Sequence, residues 1–229
     1  MDSAQPHTNR QYEEDLRGLR AGLLKMGGLV ERQIAEAVDS LVTRNSQQAR
    51  VTIARDSEVN HMDVASDEIC IRLLALHQPA ASDLRFITTG LKITTDLERI
   101  GDNAVNICER AVELNQEPQI KPYIDIPRMA SIAQSMVKDS LDAFMREDTT
   151  LAEEVIERDD EVDGLNYQIY RELLSYMAED PSTITRATRI LFVSKYLERI
   201  ADHATNIAEM VVYMVKGRTI RHMDKKPRP

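Results

Sequence analysis

Two acids four residues apart occur twice in this chain, each time inside the same phrase. Glu98 and Asp102 stand in "DLERIGDNAVNI" (96–107), and Glu198 and Asp202 in "YLERIADHATNI" (196–207). On a helix, that spacing puts both carboxylates on one face with Cβ atoms about 5–6 Å apart. Each pair lies on a polar line: Thr95, Glu98, Asp102, Asn106 and Glu109, then Lys195, Glu198, Asp202, Asn206 and Glu209. Related spacings place Asp56, Asn60 and Asp63 together, and Asp159, Asp163 and Asn166, within the matching segments "RDSEVN" and "RDDEVD". Unpaired acids at this spacing repel by roughly 0.2–0.5 kcal/mol, and more once desolvated. Two arrangements offset that repulsion. Arg99 and Arg199 can neutralise the acids in a salt-bridged polar stripe, or a cation can sit among the oxygens. If the neighbouring helices bring Asp56 and Asn60 to Glu98 and Asp102, and Asp159 and Asp163 to Glu198 and Asp202, the sets suit magnesium, manganese, iron or zinc. Spacing alone leaves both arrangements open.

Arg99, Asn106, Arg199, His203 and Asn206 flank these acids and are expected to orient or neutralise them. His203 follows Asp202, with Asn103 in its counterpart slot, and is expected to pack as a polar neighbour. Glu58-x-x-His61 resembles part of a di-iron carboxylate motif, but the second half reads Glu161-x-x-Gly164. Such a centre needs two Glu-x-x-His motifs and two more glutamates, so chance explains the match better. His7 and His222 are expected to be solvated. No glycine-rich phosphate loop, G-x-S-x-G or Cys–His triad pattern occurs. Gly27-Gly28 in "KMGGLV" reads as a close helix approach or a kink. Cys70 and Cys108 lie in apolar helical patterns without paired spacing, as buried reduced thiols of a cytosolic protein would.

These residues must be positioned by helices, because apolar spacings of three and four dominate the chain. Helices are expected near 10–45, 48–77 and 82–114, the last capped by Ser82. The segment "NQEPQIKPYIDIP", with Pro118, Pro122 and Pro127, breaks the pattern as a linker. Three more helices are expected near 128–146, 150–179 and 183–216. The repetition reads as an internal duplication: an all-α fold of two tandem antiparallel three-helix bundles. The divisions are 1–117, a linker at 118–127, 128–217, and a basic tail at 218–229.

A net charge of −9 argues against nonspecific binding to nucleic acid or anionic lipid. The N-terminus lacks a signal-peptide pattern, and no apolar run approaches the roughly 18 residues of a membrane span. Membrane association is therefore expected only through partners.

The chain resembles the PhoU family of phosphate-signalling regulators. The resemblance is carried by "LRAGLLKMGGLVERQIAEAV", "QPAASDLRFI", "LERIGDNAVNI", "RDDEVD", "YMAEDPSTI", "LERIADHATNI" and "VYMVKG". It implies a cytoplasmic, non-enzymatic, dimeric adaptor, peripheral at the inner membrane through its partners. It further implies restraint of phosphate uptake and repression of phosphate-starvation genes, linking the ATPase subunit of a phosphate ABC transporter to a membrane sensor histidine kinase. Metal binding through E(D)xxxD motifs is also implied, which here means Glu98, Asp102, Glu198 and Asp202, with Asp56, Asn60, Asp159 and Asp163 opposite. Asn60 stands where an acid is expected, and Ala201 where the first copy has Gly101. The second set is therefore expected to hold metal more strongly. The rival reading is a metal-binding carboxylate bundle with storage, hydrolytic or redox activity, which would need an open coordination position and a general base.

Overall fold

The computed structural model describes residues 5–218, and side chains from Arg10 onward. The side chains of His7 and His222, and the tail beyond Arg218, lie outside the described residues. Six helices form the fold: α1 (Gln5–Val42), α2 (Ser46–His77), α3 (Ala81–Leu114), α4 (Asp125–Arg146), α5 (Thr149–Glu179) and α6 (Ile184–Lys216). No strand occurs among the described residues.

Periodic apolar residues drive these helices together. On α1, Leu19, Leu23, Met26, Val30, Ile34, Ala37 and Leu41 recur at three and four, and each is wholly buried. Local chemistry sets the ends. Arg44 turns the chain through a left-handed conformation (φ 56°), and the Asn45 side chain accepts from the Gln48 backbone N–H at 3.1 Å. That cap starts α2 at Ser46, two residues before the sequence expectation. Ser82 is not a cap. It lies inside α3, which is entered from extended Ala80 with no side-chain cap. Asp83 places a negative charge in that first turn, favourable to the helix dipole. Helix α4 begins at Asp125, ahead of the expected Arg128, because Pro127 falls in the first turn where its missing N–H costs nothing. A short 3-10 turn at 181–183 leads into α6.

Helices α1–α3 form one antiparallel bundle and α4–α6 the other. The two pack side by side, α3 against α6 and α1 against α4, around one continuous apolar core. At this seam Phe86 of α3 stacks on Phe144 of α4 with centroids 4.8 Å apart, and the Arg20 guanidinium covers Phe86 at 4.7 Å. Gly27 permits the α1–α4 approach, since a Cβ there would lie 2.2 Å from Leu141 Cδ1. The proline-rich segment is strapped down rather than loose. Arg186 donates to the Pro118 carbonyl at 2.9 Å, and buried Lys121 pairs with Glu172. Arg189 joins Glu113 at 2.8 Å, so the second bundle grips the end of the first. Cys70 and Cys108 are buried, and burial pushes both thiols up to about 12. No helix of the described residues is long and apolar enough to cross a membrane.

Candidate functional site

In the first bundle, acids from α2 and α3 share one electrostatic neighbourhood. Gln33 of α1 donates to Asp56 Oδ1 at 3.3 Å, and Asn60 donates to Asp56 Oδ2 at 3.1 Å. Gly101 makes room for this contact: a Cβ there would lie 3.2 Å from both Asp56 Oδ1 and Gln33 Oε1. Glu98 and Asp102 are bridged by Arg99 at 3.5 and 3.7 Å, with the guanidinium side chain 60% exposed. That neutralisation is incomplete. Burial raises the Glu98 carboxyl above its usual range, the charge of Asp102 adds to this, Arg99 opposes it, and Asp63 and Asp56 raise it further. Burial also raises Asp56, against hydrogen bonds from Gln33 and Asn60 and with the charge of Asp102. Asp63 is raised by burial and by Asp67.

These shifts fix the sign of a pH effect. Carboxyls raised on folding hold more protons in the folded than in the unfolded chain, so their contribution to stability falls as pH climbs above the ordinary carboxylate range. In metal-free protein, Glu98→Gln is therefore expected to gain stability relative to wild type as pH rises from about 4 to 7. Paired denaturant titrations across that range check this; parallel curves would contradict it.

The second copy differs. Glu198 is buried, 3% exposed, and Lys195 Nζ lies 2.6 Å from both of its carboxylate oxygens. The first copy has Thr95 in place of that lysine. Asp159 is also buried, while Asp163 and Asn166 line a shallow groove with Lys195. A cation entering among Asp159, Asp163, Glu198 and Asp202 would have to displace the Lys195 ammonium. This weighs against the tighter second site expected from the Asn60 substitution. In neither copy do three His, Cys, Asp or Glu side chains of the described residues stand close enough to hold an ion. Cation binding would require these side chains to draw together.

Asp102, Asp202 and the residues expected to back the acids meet in a third place. A cleft of about 460 Å³ is lined by pairs from equivalent positions of α3 and α6: Arg99 with Arg199, Asp102 with Asp202, Asn106 with Asn206, and Asn103 with His203. His203 does more than pack, since its Nδ1 lies 2.8 Å from Asp96 Oδ1 and ties α6 to α3. Asp96 and Gln33 are the contributors that sequence reasoning missed. Gln33 carried a signal, being a polar residue beside the buried stripe of α1; Asp96 carried none.

The PhoU domain family model matches residues 23–111 and 126–211. The phosphate-specific transport system accessory protein PhoU homolog of Pseudomonas aeruginosa is 43% identical over 223 residues, covering 97% of this chain and 92% of that protein. Its counterpart in Aquifex aeolicus is 43% identical, covering 93% of this chain and 96% of that protein. The crystal structure of PhoU from Pseudomonas aeruginosa superposes with a TM-score of 0.87 at 43% identity, covering 90% of this chain and 100% of that one. That of the phosphate transport system regulatory protein PhoU from Streptococcus pneumoniae gives 0.84 at 28% identity, covering 91% and 99%.

Proposed function

The chain belongs to the PhoU family, and on that basis we propose that it is a non-enzymatic regulator of phosphate uptake that also represses phosphate-starvation signalling. It acts by linking the ATPase subunit of a phosphate ABC transporter to a membrane sensor histidine kinase, from the cytoplasmic side and as a homodimer. The observation that carries this reading is near full-length likeness to proteins named for an accessory role in phosphate-specific transport, 43% over 97% of the chain. The residues gathered at the bundle seam support it. Arginines, aspartates, asparagines and His203 line an open cleft, a set able to recognise a charged or polar partner.

Metal belongs to the same proposal. The oxygen donors Asp56, Asn60, Glu98 and Asp102 fit a hard cation such as magnesium or manganese, and also iron or zinc. Burial, with the charges of neighbouring acids added to it, holds Glu98 and Asp56 above their usual range, and a bound cation would relieve the repulsive part. Asp159, Asp163, Glu198 and Asp202 form the second set, whose use would require Lys195 to release Glu198.

Labelled-phosphate uptake tests the transport role. Cells lacking the gene and grown in ample phosphate are expected to take up phosphate faster than wild type, and a plasmid copy to restore the slower rate. Unchanged uptake would remove the proposal.

A further inference from the structure

We propose that the cleft between α3 and α6 binds protonated phosphoryl groups, one for each copy of the repeat. The assignment stands on the cleft alone and does not depend on the transport role. Each side supplies the same three groups: a guanidinium from Arg99 or Arg199, a carboxylate from Asp102 or Asp202, and a carboxamide from Asn106 or Asn206. A guanidinium fork matches two oxygens of a phosphoryl group. A carboxylate beside it repels a bare oxyanion but accepts a hydrogen bond from a P–OH. The carboxamide both donates and accepts, and so can serve the remaining oxygen or proton.

Other ligand classes fit worse. No Phe, Tyr, Trp or large aliphatic side chain lines the cleft, so it offers no groove for an apolar helix. Sulfate carries no proton at neutral pH and would meet the two aspartates with repulsion alone. Arg99 can turn to such a ligand because its bonds to Glu98 and Asp102 are long, at 3.5 and 3.7 Å, and its side chain is 60% exposed. Ion pairs of that kind are weak. The walls are fixed: Asn103 is buried and donates to the Arg99 carbonyl at 2.7 Å, and His203 is held by Asp96 at 2.8 Å. A volume of about 460 Å³ exceeds what one orthophosphate fills. Two free phosphates, or one compound carrying two phosphoryl groups, share the required chemistry.

Isothermal titration calorimetry of chelator-treated protein, with inorganic phosphate, pyrophosphate and sulfate as probes, tests this. Wild type is expected to give saturable binding, with two phosphates per chain if the groups are free or one pyrophosphate if they are joined. Charge-assisted hydrogen bonds are worth enough that Arg99→Gln and Arg199→Gln should each weaken binding about ten-fold or more, and the double variant should abolish it. Sulfate should bind about ten-fold more weakly than phosphate, and Asp102→Asn should narrow that gap. Helical circular dichroism confirms folding of each variant, and Asn106→Ala with Asn206→Ala supplies an independent pair should the arginine variants misfold. Absence of saturable binding of both phosphoryl probes to folded wild type would overturn the assignment. So would undiminished binding to the folded variants, or sulfate competing on equal terms.

Discussion

Phe144→Ala is expected to lower the unfolding free energy by about 3–5 kcal/mol, the usual range for emptying a buried phenylalanine site. The ring is wholly buried and stacks on Phe86 at 4.8 Å with 14° between the planes. Phe86 lies on α3 and Phe144 on α4, so the cavity opens where the bundles join. Arg20 over Phe86 closes the stack, which leaves few side chains able to collapse into the gap. In a chain of this size each kcal/mol moves the midpoint by about 2–4 °C, so the fall should be on the order of 10 °C. Phe144→Leu keeps most of the volume and should cost less than half as much. Thermal and denaturant unfolding check both variants. A shift of under about 2 °C for the alanine variant would mean that the stack does not hold the seam.

Lys195→Met is expected to cost about 2–3 kcal/mol at neutral pH, because it strands a buried carboxylate without its partner. Glu198 is 3% exposed, whereas the Lys195 side chain is 48% exposed, which is why the loss falls below that of a fully buried pair. A second substitution separates this cause from lost packing. Adding Glu198→Gln to Lys195→Met should recover much of the loss, because it removes the stranded charge. Denaturant unfolding at neutral pH decides: a further loss from Glu198→Gln would contradict this cause.

Much of the architecture was legible because one local rule repeats. The three-and-four spacing of α1 is buried residue for residue, and the duplicated "LERI" phrases placed α3 and α6 in matching roles. Helix starts were less legible. Ser82 has the right chemistry for a cap, yet the chain is already helical from Ala81, since Pro79 and extended Ala80 set the entry instead. The proline-rich segment reads as a linker by composition, and long-range partners such as Arg186 and Glu172 hold it in place. At the site, repetition singled out the acids and their flanking arginines and asparagines. It did not say that the two copies face each other. Arg99 and Arg199 were expected beside two separate acid sets, whereas the packing of α3 on α6 gathers them with Asp102 and Asp202 in one cleft. The Lys195–Glu198 pair was readable as an i, i+3 contact. Its weight was not, because burial of Glu198 depends on how the neighbouring helices pack around α6.

A transcriptional reporter of phosphate-starvation genes tests the proposed repression in ample phosphate most directly. In cells lacking the gene and grown in high phosphate, the reporter is predicted to be strongly induced, and a plasmid copy of the wild-type gene to silence it again. Repression that persists without the gene would contradict the account.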